Sequence, residues 1–315
     1  MLCQTFLEKY SPKTIDSLPY EEKFTTILQN FININLLQLI LVSDNTFSKN
    51  IVVNSIINTL KISNPDILFL SNFKDHGVSN IRSEIKLFSQ LTKTDNSVKR
   101  ILVIEDIESY NDNIQRLFIN NIDKWSKNIN VIITCNNLFN INDSLTSRLL
   151  PITIPNITKP TVYSIVEKIC KEEKIILDPR HIDLIITLSQ NNLLSVFHIL
   201  QKCALVQDSM PLTEDIIKIS CTIINVEKIK GYFELIKSKK IREGYDYLLE
   251  IVDNGYSVID ILNELYLFVK ITDILTEEQK YLSFKIISSY IVNFITVHEE
   301  ELELLILTHD LTKIL

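Results

Sequence analysis

Five short apolar runs, at 37–42, 66–70, 100–105, 130–134 and 150–154, alternate with helix-period stretches at 21–32, 49–60, 78–91 and 113–125. This alternation constrains the fold more than any other feature of the chain. Runs of this length, rich in Ile and Val, suit strands of a parallel sheet covered on both faces. Residues 1–156 are therefore expected to form an α/β domain, a doubly wound parallel sheet. After Pro155 the strand signal fades and amphipathic helices follow one another to the end. Those at 159–173, 179–189, 193–205 and 212–221 make a four-helix unit, residues 157–223. Longer patterns at 226–237, 241–254, 258–275, 277–297 and 299–314 make an all-α domain, residues 224–315. Asn254-Gly255 reads as a helix end and a turn. No short repeat points to a solenoid.

Composition excludes several classes. With only 4 Gly and 8 Pro in 315 residues, the chain lacks the material for long flexible linkers. No apolar segment reaches the ~18–20 residues a membrane span needs, and the N-terminus lacks the form of a signal peptide. The 5 cysteines are scattered without a C-x-x-C pair, which argues against disulfides and zinc and for a reducing intracellular compartment. The 5 histidines show no metal-ligand spacing. A net charge of -7 does not suit a protein that grips DNA alone through a broad basic face. It permits a local basic strip, or DNA contacts shared with neighbours.

The run at 37–42 continues into a polar loop, then Lys49, then an apolar helix face. Strand, loop, lysine, helix is the layout of a phosphate-binding loop, G-x-x-x-x-G-K-[ST]. Ser43 and Ser48 stand where its two glycines belong, and Asn50 stands where the Mg²⁺-binding hydroxyl belongs. Glycine permits the positive φ and close approach a phosphate cradle needs, so serine at these places implies strain or a lost cradle. Lys49 on this reading either meets a phosphate as a point charge or is a solvated lysine near a helix start.

The order of the motifs adds a family resemblance. Glu8-Lys9-Tyr10-Ser11-Pro12-Lys13-Thr14 resembles the E-K-Y-R-P-K-T opening of replication factor C small subunits, the AAA+ loaders of sliding clamps. The altered phosphate loop follows. Residues 71–78 with Ile81-Arg82 are similar to the family's N-A-S-D-x-R-G-I-x-x-V-R segment. Ile101 to Glu108 resembles the Walker B strand, Thr134-Cys135-Asn136 the end of the sensor 1 strand, and Thr146-Ser147-Arg148 the S-R-C motif.

The resemblance implies an AAA+ core (1–156), a helical lid (157–223) and a helical collar for oligomerisation (224–315). It implies partners as well: other subunits of a hetero-pentamer, a sliding clamp and primer–template DNA, with no membrane, in the nucleus or at a cytoplasmic viral replication site. It also implies an ATP site made of Ser43, Ser48, Lys49, Asn50, Glu105, Asp106 and Asn136, altered in four parts. The phosphate loop and the Mg²⁺ ligand depart from the pattern. Glu105-Asp106 reverses the family's Asp-Glu pair, and a displacement near 1 Å can cost ~10²-fold in rate. The lid arginine is replaced by Leu194. ATP or ADP would be held weakly or by neighbouring subunits, hydrolysis is not expected, and the place of Mg²⁺ is open. Arg148 is retained, and in the family that arginine projects into the neighbour's ATP site, where such fingers contribute about 10³–10⁵ in rate. Ser79, Asn80, Arg82 and Lys86 would face DNA from a helix N-terminus, or belong to an ordinary amphipathic helix. Gln115 matches a family glutamine, while Ile119 and Asn120 replace a family arginine pair. Lys93 and Lys99-Arg100 read as solvated loop charge, Leu117-Phe118 as core, and Tyr232, Phe233, Tyr245, Tyr247, Tyr266 and Phe268 as core or interface. Two other functions fit the same motifs: an active AAA+ ATPase with an atypical loop, and an adaptor that keeps the fold for protein binding.

Overall fold

The computed structural model of the chain describes residues 4–62, 64–70, 78–90, 99–125, 128–207, 211–214, 216–217, 224, 226–296 and 301–315. By compactness the chain divides into residues 1–217 and 218–315, each described by itself.

In the first unit the apolar runs become strands β1 (Gln38–Val42), β2 (Ile67–Leu70), β3 (Arg100–Ile104), β4 (Ile129–Cys135) and β5 (Leu150–Thr153). They form one sheet in the order β2-β3-β4-β1-β5. Every pairing is parallel. Strand geometry sends alternate side chains to opposite faces. Leu39, Leu41, Ile101, Val103 and Ile132 enter one core, with Phe24, Leu28, Ile51, Val52 and Ile56 of helices α2 (Glu22–Ile34) and α3 (Thr46–Leu60). Ile40, Leu102, Ile104, Val131 and Ile133 enter the other, with Ile85, Phe88, Phe118 and Ile122 of helices α4 (Val78–Gln90) and α5 (Asp112–Trp125). Two covered faces explain why the runs are continuous rather than alternating in hydrophobicity.

Arg100 corrects the reading of solvated loop charge. It opens β3 and is 4% exposed. Its Nε donates to Asp66 Oδ1 at 2.9 Å and its Nη1 to the Phe88 carbonyl at 2.6 Å. A buried guanidinium needs this kind of pairing, because an unpaired one would carry an uncompensated charge. These two contacts tie the starts of β2 and β3 to the last turn of α4.

β5 lies at an edge of the sheet. The Ile154 N–H donates to the Val42 carbonyl, so by strand alternation the nitrogen of Pro151 faces the open side. Beyond β5 come α7 (Lys159–Glu173), α8 (Pro179–Leu188) and α9 (Leu193–Gln207), the first two begun by prolines in their opening turns. Of the helix expected at 212–221, Glu214, Ile216 and Ile217 are helical, and most of the remainder lies outside the described residues.

The second unit contains α10 (Val226–Lys237), α11 (Ile241–Asp253), α12 (Val258–Ile271), α13 (Glu277–Thr296) and α14 (Leu302–Ile314). Tyr232 and Phe233 are fully buried there, and the Tyr232 hydroxyl is paired with Thr308 Oγ1 at 3.0 Å. Tyr245, Tyr247 and Phe268 pack against this core, while Tyr266 is 39% exposed. Gly255 takes a left-handed φ of 94° after α11, as the turn at that point demands. Among the described residues, no helix is long and apolar enough to cross a membrane.

Candidate functional site

The carboxyl ends of parallel strands are where such sheets bind ligands. The loop after β1 is shorter than the phosphate-loop template requires, because α3 begins at Thr46 and not at Lys49. The cause is local. Asn45 is the N-cap, and its Oδ1 accepts from the N–H groups of Phe47 at 3.0 Å and Ser48 at 3.4 Å. The Lys49 N–H donates to the Asn45 carbonyl. Amides that would cradle a phosphate are thus satisfied inside the chain. None of residues 43–50 has a positive φ, so the strain expected at Ser43 and Ser48 does not arise. The loop has become helix instead. Ser43 is half-buried, Ser48 buried and Asn50 exposed.

Lys49 is not solvated. It is 1% exposed, and its Nζ lies 2.6 Å from Asp106 Oδ1 and 2.6 Å from Asn136 Oδ1. The structure thereby joins residues that follow β1, β3 and β4. Asp106 adopts a left-handed φ of 46°, a conformation Asp tolerates better than most residues, and its N–H donates to Thr134 Oγ1. Glu108 fixes the next loop by accepting from the N–H groups of Asn136 and Asn137, each at 3.2 Å. Glu105 is half-buried, and its N–H extends the β2–β3 ladder to the Leu70 carbonyl. Burial raises the Glu105 carboxyl above its ordinary value, the charge of Asp106 adds to the rise, and Lys49 opposes it. Among the described residues, no cluster of His, Cys, Asp and Glu is arranged to hold a metal ion.

Two further positions frame this edge. Gln115 is buried in α5, donates to the carbonyls of Ile107 and Tyr110, and accepts from the Asn142 N–H. At the start of α9, Asn192 caps the helix by accepting from the N–H of the half-buried Leu194. Phe197 of α9 meets Phe47 in the first turn of α3 edge-on, at 6.4 Å between ring centres. Beside them lies a cleft of about 520 Å³ lined by Lys9, Tyr10, Lys13, Lys168, Leu193 and Phe197. Lys9 Nζ and the Tyr10 hydroxyl both lie 2.6 Å from Glu173 Oε1, joining the N-terminal helix α1 (Phe6–Tyr10) to the end of α7.

Arg148 follows α6 (Asp143–Thr146). Its Nε donates to Asp123 Oδ1 at 2.7 Å, its Nη2 to Asp123 Oδ2 at 2.9 Å, and its Nη1 to the Ser144 carbonyl at 2.9 Å. Arg82 and Lys86 are exposed on α4. Ser79 and Asn80 belong to the same helix, but their side chains lie outside the described residues, as do Lys93 and most of 71–78. Sequence reasoning missed Asn45, Glu108 and Asp123. Asn45 was detectable as a cap residue before Thr46-Phe47-Ser48. The other two carry no local signal.

The parallel sheet with helices on both faces, the lysine after β1 and the paired carboxylates after β3 define an AAA+-type fold. Solved structures of similar fold include a DNA polymerase III gamma subunit-related protein from Thermotoga maritima, at TM-score 0.55, 11% identity, 91% of this chain and 98% of that chain. A RuvB variant from Thermotoga maritima matches at TM-score 0.57, 15% identity, 89% of this chain and 99% of that chain. The replication factor C C-terminal domain family matches residues 224–307. Human replication factor C subunit 4 is 21% identical over 87% of this chain and 78% of its own length. The replication factor C small subunit of Sulfolobus acidocaldarius is 21% identical over 82% and 80%. Over most of its length the chain is thus similar to replication factor C small subunits at low identity, and its fold is of the AAA+ type.

Proposed function

We propose that this chain is a non-hydrolysing small subunit of a replication factor C-type clamp loader, and that Arg148 completes the ATP site of a neighbouring subunit. The observation that carries the first part is Lys49, buried and held by Asp106 and Asn136, beside a helix start already capped by Asn45. A triphosphate with Mg²⁺ does not fit this arrangement: the donors it would need are taken, and Asn50 replaces the hydroxyl for the metal. The cleft beside Phe197 leaves room for the base of a nucleotide held weakly, without Mg²⁺ and without turnover. The exposed guanidinium of Arg148 supports a role in trans, and α4 with Arg82 and Lys86 supports contact with primer–template DNA inside a hetero-pentamer bearing on a sliding clamp.

The test is the DNA- and clamp-stimulated ATPase of the complex assembled from this chain and the other replication factor C subunits of its source. Arg148→Ala is expected to lower turnover with assembly intact. Turnover of ATP by the isolated chain would favour an active ATPase with an atypical loop. A stable monomer with no affinity for the other subunits would favour the adaptor.

A further inference from the structure

A guanidinium carries five N–H donors in a rigid planar fork. Among the described residues, three donors of Arg148 are used. Nε and Nη2 form the side edge of the fork and meet both oxygens of Asp123, at 2.7 and 2.9 Å. One hydrogen of Nη1 goes to the Ser144 carbonyl at 2.9 Å. Two hydrogens remain, one on each terminal nitrogen. The Arg148 side chain is 36% exposed and its Asp123 partner 50% exposed, so the site is open to a second molecule.

We propose that Asp123 is a positioning residue for Arg148: it grips the side edge of the fork so that the remaining terminal N–H groups are presented outward, already oriented, to a phosphate of the neighbouring subunit. This rests on the reading of Arg148 as acting in trans. The chemistry of the two acceptors differs in a useful way. A carboxylate on the side edge and a peptide carbonyl on Nη1 fix the rotation of the guanidinium about its own stem. A free arginine would have to order a long side chain at the moment of reaction, at a cost in entropy. An arginine held before the neighbour arrives has already met that cost, and preorganised charge is what stabilises a transition state. Asp123 sits on α5, whose buried face packs on the sheet, so the grip comes from a rigid element rather than a loop. The ion pair is exposed, and such pairs add little stability. Its removal should therefore leave the fold and assembly intact.

The experiment compares Arg148→Ala, Asp123→Ala, Asp123→Glu and the double variant Arg148→Ala/Asp123→Ala in the assembled complex, measuring kcat and KM for ATP. The expected result is that Asp123→Ala removes most of the rate that Arg148→Ala removes, roughly tenfold or more at the dependent site, with KM for ATP changed less than about twofold. Asp123→Glu should restore part of it, and the double variant should match Arg148→Ala. If Arg148→Ala lowers kcat while Asp123→Ala leaves it unchanged or raises it, Asp123 does not position the finger, and the proposal falls while the trans reading stands. If Arg148→Ala itself has no effect in an intact assembly, both fall.

Discussion

Lys49 offers a sharp test of the site, because a lysine that serves a phosphate and one that is internally paired respond oppositely to substitution. Asp106→Asn keeps a residue that tolerates the left-handed φ of 46° and keeps one acceptor, but removes the counter-charge. Breaking a fully buried ion pair costs about 3–5 kcal/mol. Asp106 is 37% exposed and Asn136 still accepts from the ammonium, so water and the amide relieve part of this, leaving a cost of about 1–3 kcal/mol. Lys49→Met keeps the length of the stem and removes the buried charge. Asp106 then rehydrates, and the change should stay within about 1 kcal/mol of wild type. The double variant should lie closer to Lys49→Met than to Asp106→Asn. Trp125 is the only tryptophan of the sequence and falls within the first unit, so fluorescence is the probe for unfolding of that unit. For a unit of this size, 1 kcal/mol shifts the midpoint by about 2–4 °C, so Asp106→Asn should lower it by roughly 2–12 °C. The reasoning is refuted if Lys49→Met destabilises as much as Asp106→Asn, or if the double variant shows the sum of both losses.

Other outcomes follow from the same geometry. Gln115→Leu strands two buried carbonyls and the Asn142 N–H, and should cost about 2–4 kcal/mol by the same fluorescence midpoint. Glu105→Gln should stabilise at pH 7: a carboxyl raised by burial contributes stability only below its ordinary value of 4.5 and loses it as pH rises through the raised one, so the advantage should vanish in unfolding measured below that ordinary value. In the assembled complex, Arg82→Ala or Lys86→Ala should each weaken binding to primed DNA uniformly across sequences and reduce the salt slope by about 1; unchanged slopes would remove α4 from the DNA surface.

The sheet was legible because its signal is local. A strand buried on both faces must be apolar throughout, and each of the five began and ended within one residue of its run. The helices after Pro155 announced themselves through apolar spacing, and prolines marked two starts. The loop after β1 was harder. The phosphate-loop template places the helix start at Lys49, whereas the Asn45 cap, which competes for the same amides, moves it to Thr46. Contacts between distant residues were not legible at all. Lys49 meets Asp106 and Asn136 across separations of 57 and 87 residues, and Arg148 meets Asp123 across 25. Arg100 looked like loop charge because nothing near it in sequence reveals Asp66 as its partner.

Pro151 has a consequence for how such a chain joins others. An open strand edge invites another strand to dock on it and is the usual starting point for unwanted aggregation. At the β5 edge the proline withholds a donor from the outward ladder, which a newcomer would need to continue the sheet. That side therefore resists β-augmentation by a neighbouring copy or an unfolded chain. Association is steered away from this strand, and a ring built from such units would be stitched together by loops and helices while each sheet stays separate.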